Sequence, residues 1–365
     1  MSWDAGIGGP MRRVVEEDVA SILSAELDWS VLEGRHVAVT GAGGMLASYL
    51  VESLLALNAR LRRPIEVTAL VRNVEKARRC FAAHLGDGRF GIRYWNYEDP
   101  VAGLQSCQVI VHAASIPRPD AAHPVDVIGP NEVGTWNLLR YAQSCGSAFE
   151  QFVFFSSGAI YGDGFLAQKP VGESYVAPVD QMSPASCYVV SKRAGENLCM
   201  SFMRQYGVPV KILRYGHTFG PGMDLVNDPR SFVSFVRSAV EGQDIVLRSS
   251  GDMVRHFCYV TDATRALFAI LLKGTAGMAY NVANPEGGMC IADLAELVAS
   301  LAPKGPVRVV RQAADGGCAC SSPAHVPQVH SANLDVGRLL ALGWRPRCSV
   351  REGFRRVVEA HAPLR

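Results

Sequence analysis

The stretch "HVAVTGAGGMLASYL", His36 to Leu50, sets three glycines between an apolar run and a segment of apolar periodicity. Val37, Ala38 and Val39 read as a buried strand, and Leu46, Tyr49, Leu50 and Leu54 recur at helical spacing beyond the turn. Two readings fit. In one, Gly41 makes the turn, Gly44 lets backbone approach a pyrophosphate, and Ala47 is the small residue that packs helix on strand. In the other, the same residues are a tight strand-to-helix connection and nothing more. The turn alone does not choose between them, so the rest of the chain must.

Outward from this stretch, strand-like runs alternate with amphipathic ones as far as about residue 180: "HVAVT", "IEVTALV", "FGIRYW", "SCQVIVHAA" and "QFVFFSS". A long helical pattern over 188–206 follows, then another strand, "PVKILRYG". This alternation predicts an α/β fold with a parallel sheet wound by helices on both faces. Beyond "FGPGM" the pattern loosens and Pro and Gly become frequent, with "DIVLRSSGD" and "VRVVRQAADGG" as strands and loops of a smaller lobe. We divide the chain into an N-terminal helical extension (1–34), a doubly wound core (35–220) and a lobe that is mainly 221–365, with segments returning to the core. In the extension, Val15, Val19, Ile22 and Leu23 fall at helical spacing and predict a packing or dimer-contact helix.

At 365 residues the chain is long enough to bury a sizeable core. Its 36 basic and 34 acidic residues nearly cancel, which argues against a nucleic-acid or membrane-surface partner. Arg12, Arg13, Glu16, Glu17 and Asp18 exclude an apolar leader core, and no run of roughly eighteen apolar residues follows, so a cytoplasmic location is expected. The ten cysteines are scattered, several of them, such as Cys107 and Cys258, within apolar runs where a reduced thiol acts as a small hydrophobe. Cys318 and Cys320 form the one close pair, without two further ligands at metal spacing, and no metal is expected.

"SCYVVSKRAGENL" puts Tyr188 and Lys192 one helical turn apart on a common face, and no other tyrosine of the eleven has a lysine four residues on. A phenol titrates near 10, too high for a base at neutral pH, but an adjacent cation favours the phenolate. "FFSSGAIYG" supplies Ser156 and Ser157 at the end of a buried strand, where α/β proteins place ligands. Taken singly, the pair could be incidental and the serines a turn or cap.

Together and in order, the glycine turn, "VIVHAAS", "FFSSGAIYG", Tyr188-x-x-x-Lys192 and "LRYGHTFGPG" resemble, from about 36 to 360, the extended short-chain dehydrogenases/reductases that modify nucleotide sugars. The resemblance implies a Rossmann core holding NAD or NADP and a smaller C-terminal lobe for a nucleoside-diphosphate sugar, in a homodimer built on helices flanking the sheet. It implies a pyrophosphate on the opening turn, with Gly41, Gly44, Met45, Leu46 and Ala47 around it and Asn96, Ala113 and Ala114 completing the cofactor site. Ser157, Tyr188 and Lys192 fall on its catalytic positions and Asn131 on the helix asparagine that supports them. At the second strand's end "TALVRNVEKARR" has no carboxylate before Glu75, and Arg72 stands where NADP-using relatives place an arginine, so NADP is slightly favoured. Arg255 in "VRHF" and Arg230 in "NDPRSFVSF" fall where the sugar diphosphate is held, and His217 replaces the family's usual asparagine.

The leading expectation is hydride chemistry at C4 of the sugar, by a 4-ketoreductase or an epimerase. The overall rhythm is also similar to UDP-glucuronate decarboxylases. Such relatives carry an acidic residue two before the tyrosine of the "YG" element and an arginine just before the catalytic tyrosine. Here those places hold Ala159, and Ala185 with Ser186. A non-catalytic dinucleotide-binding regulator is the remaining alternative.

Overall fold

A computed structural model describes residues 9–104, 107–116, 123–162, 170–311 and 333–363, so Cys318 and Cys320 lie outside the described residues. In chain order the strands are β1 (His36–Thr40), β2 (Glu66–Val71), β3 (Phe90–Tyr94), β4 (Val109–His112), β5 (Gln151–Ser157), β6 (Val210–Tyr215), β7 (His217–Phe219), β8 (Ile245–Leu247), β9 (Val254–Tyr259), β10 (Ala279–Val282), β11 (Gly288–Cys290) and β12 (Val309–Arg311). The helices are α1 (Pro10–Leu23), α2 (Met45–Leu57), α3 (Val74–Cys80), α4 (Pro124–Ser144), α5 (Cys187–Tyr206), α6 (Ser231–Glu241), α7 (Val260–Lys273), α8 (Ile291–Ser300), α9 (Gly337–Ala341) and α10 (Val350–His361).

Seven strands form one parallel sheet in the order β10-β6-β5-β4-β1-β2-β3. Every residue of β1 is buried, as befits a strand covered on both faces. The chain winds outward from β1 to β3 and then returns to the other side of β1 as β4, which opens a crevice between their carboxyl ends. This is the doubly wound α/β fold that the sequence predicts. One face of the sheet packs Ile110, Phe152 and Phe154 against Leu138 and Leu139 of α4 and Phe202 of α5. The opposite face joins the larger core, which includes α2, α7 and most of the second lobe.

The smaller lobe is woven into the larger one. β10 supplies the seventh strand of the main sheet, while β7, starting at His217, pairs in parallel with β9 in a small sheet ordered β11-β9-β7. α1 packs within the chain: Met11, Val14, Val15, Val19, Ile22 and Leu23 are buried. Its Asp18 is buried too, accepting from the Tyr49 hydroxyl of α2 at 2.8 Å, the Tyr259 hydroxyl of β9 at 2.7 Å and Arg356 Nε of α10 at 2.8 Å. Because α1 covers its outer side, α2 is buried almost all round rather than along one apolar stripe. Among the described residues, no helix is long and apolar enough to cross a membrane.

Candidate functional site

Gly41 has φ +62°, and a Cβ there would lie 2.8 Å from Ala114 Cα and 2.9 Å from Ala114 N. Only glycine fits this backbone. Thr40 Oγ1 receives hydrogen bonds from the Ala113 and Ala114 amides, 3.1 Å each, and lies 2.7 Å from His112 Nδ1. The other ring nitrogen, Nε2, is 3.2 Å from the Pro130 carbonyl. Since a carbonyl only accepts, Nε2 carries the proton and Nδ1 accepts from Thr40. Burial and the nearby Lys192 charge push His112 down to about 3, so the ring stays neutral. The clamp thus holds the ends of β1 and β4 together beneath the glycine turn.

Gly44 precedes α2 with no side chain capping the helix and no acidic residue in its first turn, and a Cβ on Gly43 would meet none of the described residues. An uncapped helix start with room beside it fits a pyrophosphate, which the amides and helix dipole favour. Met45 and Leu46 open this helix and are half-buried, while Ala47 is buried. Arg72 is exposed just past β2, and half-buried Asn96 follows β3 and donates to Glu98 at 3.2 Å. These positions lie along one carboxyl edge of the sheet, with Arg72 and Asn96 on the strands farthest from β5.

β5 ends in Ser156 and Ser157, and the structure gives them different partners. Ser156 Oγ donates to Glu196 at 2.5 Å. Ser157 begins a short 3₁₀ turn, Gly158–Tyr161, accepts from the Ala159 amide at 3.1 Å, and lies near enough to the Tyr188 phenol to favour its ionised form. Tyr188 and Lys192 share a face of α5 as predicted, but the ammonium is engaged elsewhere: Lys192 Nζ donates to the Phe155 carbonyl at 2.6 Å. It lies 5.9 Å from the centre of the Tyr188 ring. Burial pushes Lys192 down to about 7, opposed by the Glu196 carboxylate. Burial also raises the phenol above its ordinary value, opposed by Ser157 and the charge of Arg230. Asn131 on α4 donates to Ser191 Oγ at 3.0 Å, and Ser191 Oγ donates to the Tyr188 carbonyl at 3.1 Å, which fixes the first turn of α5.

His217, Arg230 and Arg255 come together at the small sheet. Arg255 Nη1 is 2.8 Å from His217 Nε2, and the charge of Arg230 reaches both the His217 ring and the Tyr188 phenol. Arg230 itself is forked onto Asp228, with a closest approach of 2.6 Å.

A family model described as "NAD dependent epimerase/dehydratase family" matches residues 37–283. The chain belongs to this family. Its members are enzymes, and similar proteins include UDP-glucuronic acid decarboxylase 1 of Xenopus tropicalis, 28% identical over 89% of this chain and 71% of that protein. UDP-glucuronic acid decarboxylase 3 of Arabidopsis thaliana is 27% identical over 87% of this chain and 86% of that protein. Among solved structures, the UDP-glucuronic acid 4-epimerase of Bacillus cereus, with UDP-glucuronic acid and NAD, shares the fold at TM-score 0.72 and 21% identity, covering 89% of this chain and 98% of that one. The dTDP-glucose 4,6-dehydratase of Streptomyces venezuelae, with NAD, does so at TM-score 0.71 and 24% identity, covering 89% and 96%.

Three supporting groups escaped the sequence reading. Thr40 and His112 end adjacent strands, and their meeting depends on strand order. Glu196, four residues past Lys192, was open to the same helical-spacing argument. It accepts from Arg214 Nη2 at 2.7 Å, and Arg214 Nη1 reaches the Tyr161 hydroxyl at 2.9 Å. Tyr161 in turn donates to Asn281 of β10 at 2.7 Å, so this network spans a strand that the sequence did not announce.

Proposed function

We propose that the protein performs hydride chemistry at C4 of a nucleoside-diphosphate hexose, as a 4-ketoreductase or a 4-epimerase. The observation that carries this reading is the turn after β5. It places Ser157 near enough to the Tyr188 phenol to favour its ionised form, while its next residues, Gly158 and Ala159, have no group that exchanges a proton. The Glu196 carboxylate is already committed to Arg214 and Ser156. This arrangement supports an alcohol–ketone step, and Gly158 and Ala159 offer no acid for a second step at the neighbouring carbon.

In this reading Tyr188 takes the C4 hydroxyl proton, or returns it, and Ser157 holds the reacting oxygen. The nicotinamide cofactor, when bound, supplies the hydride acceptor or donor. Gly41, Gly44 and the start of α2 would hold its pyrophosphate, and Met45, Leu46, Ala47, Asn96, Ala113 and Ala114 would line it. Lys192 would turn from the Phe155 carbonyl toward the nicotinamide ribose and bring its charge to the phenol. Asn131 keeps α5 in register, and Arg255 and Arg230, with His217 beside them in the same subsite, receive the diphosphate. Arg72 favours the 2′-phosphate of NADP, its forked donors having no hydrogen-bond partner among the described residues.

The sequence similarity to UDP-glucuronic acid decarboxylases supports a second reading, loss of carbon dioxide from UDP-glucuronate. The decisive assay incubates the purified enzyme with NAD and UDP-glucuronate, and separately with a 4-keto-hexose nucleotide and NADPH. We expect reduction in the second and neither carbon dioxide nor a pentose nucleotide in the first. Pentose formation would make the decarboxylase the better account. A C4 epimer formed with NAD and no external reductant would select the epimerase.

A further inference from the structure

We propose that His217 is a positioning residue whose neutral ring fixes the Arg255 guanidinium for the substrate diphosphate, an inference that rests on the nucleotide-sugar reading above. β7 and β9 run parallel with His217 in register with Phe257. Arg255, two residues before Phe257, therefore lies on the same face as His217 and diagonal to it. The result is the 2.8 Å approach of Arg255 Nη1 to His217 Nε2. A guanidinium has donors only, so Nε2 must accept and the ring proton must sit on Nδ1.

The surroundings keep the ring in that state. Burial, Arg255 and His256 on β9, and Arg230 at the start of α6 all oppose a second proton, and the ring is pushed down to about 3. A histidine in this place is thus a permanent acceptor rather than a switch at physiological pH. It also reaches farther from the strand than an asparagine amide would, which lets it meet a residue on the neighbouring strand. Burial lowers the pKa of Arg255, so this side chain has already lost water. Fixing one of its donors in advance removes part of the ordering cost that substrate would otherwise bear. His217 also stands two residues beyond Tyr215, the register partner of Ser157, which puts this pair beside the reacting end of the site.

His217→Gln keeps an oxygen acceptor for Arg255, and His217→Leu keeps bulk without one. Steady-state kinetics on the active sugar nucleotide and calorimetric binding of UDP and dTDP compare both with wild type. In His217→Leu, KM and the nucleotide Kd should rise about tenfold with a smaller change in kcat, and His217→Gln should recover most of the loss. Unchanged binding in the leucine variant, or a glutamine variant as weak as leucine, would overturn the proposal. Nitrogen-15 NMR of the wild-type histidines gives a readout that needs no substrate. His217 should show an unprotonated Nε2 that does not titrate between about pH 5 and 8, and a protonated Nε2 would overturn the pairing. If wild type binds neither nucleotide while the NMR result holds, the nucleotide-sugar reading fails and the Arg255–His217 bond stands without its ligand.

Discussion

Tyr188 and Lys192 were legible because two residues four apart on a helix must share a face. What the spacing could not show is where each polar atom points. The Phe155 carbonyl that holds Lys192 belongs to a strand brought alongside only by the sheet. Tyr188→Phe removes the proton-transfer group with little change of shape. Turnover should fall roughly a hundred- to ten-thousand-fold while dinucleotide binding, followed by fluorescence titration, persists. A variant that keeps most of its turnover would remove Tyr188 from the mechanism. Lys192 makes a different prediction, about stability. Its folded pKa of about 7 lies below the ordinary lysine value of 10.5, so between those limits the unfolded chain binds a proton that the folded chain releases. Lys192 therefore destabilises the unliganded fold most at and below about pH 7, and stability should rise as the pH climbs toward 10. Urea unfolding of Lys192→Met should show a more stable but inactive protein at pH 7, with a shallower rise toward alkaline pH. Part of the rise should remain, because Lys211 is pushed down to about 8 and acts in an overlapping window.

The glycine turn and α1 show how an element can be recognised while its environment is not. Gly41 and Gly44 look alike in sequence, yet they serve different ends. Gly41→Ala forces a side chain into the Ala114 backbone at positive φ and should cost about 1–3 kcal/mol of stability. At Gly44 the backbone is extended, φ −83° and ψ 157°, and an added Cβ meets only the Gly41 carbonyl at 3.2 Å. Gly44→Ala should therefore fold with little loss but bind the dinucleotide weakly, since the methyl group occupies the face left for the pyrophosphate. Loss of stability without loss of binding would reverse that assignment. The periodicity of α1 predicted its buried face but not Asp18, whose three partners come from α2, β9 and α10. Asp18→Ala leaves Arg356 without this buried partner and should cost about 3 kcal/mol in urea unfolding.

For the whole molecule, alternation of strand and helix periods is local information, and it led to the correct fold class. The weave of the second lobe is not local. β10 is only "AYNV", too short for a period to stand out, and it becomes a strand because the edge of β6 is there to pair with it. Assembly is read from surface rather than pattern. Val125, Val133 and Trp136 form one stripe along α4, and all three are exposed. Trp136 meets Phe202 of α5 edge-on with ring centres 5.3 Å apart, and Phe202 meets exposed Tyr206 at 5.3 Å. An aromatic ridge across two adjacent helices is costly to leave in water, which supports placing on α4 and α5 the homodimer that the family resemblance implies. A stable contact there must bury at least about 1,000 Å² in total, and a charge at its centre would oppose closure. Trp136→Glu should therefore convert the dimer to a monomer in light scattering, while Trp136→Phe should not. Because α5 also carries Tyr188 and Lys192, the monomer should lose some turnover, but far less than Tyr188→Phe loses. A wild-type protein that is monomeric at micromolar concentration would rule this face out as the dimer contact.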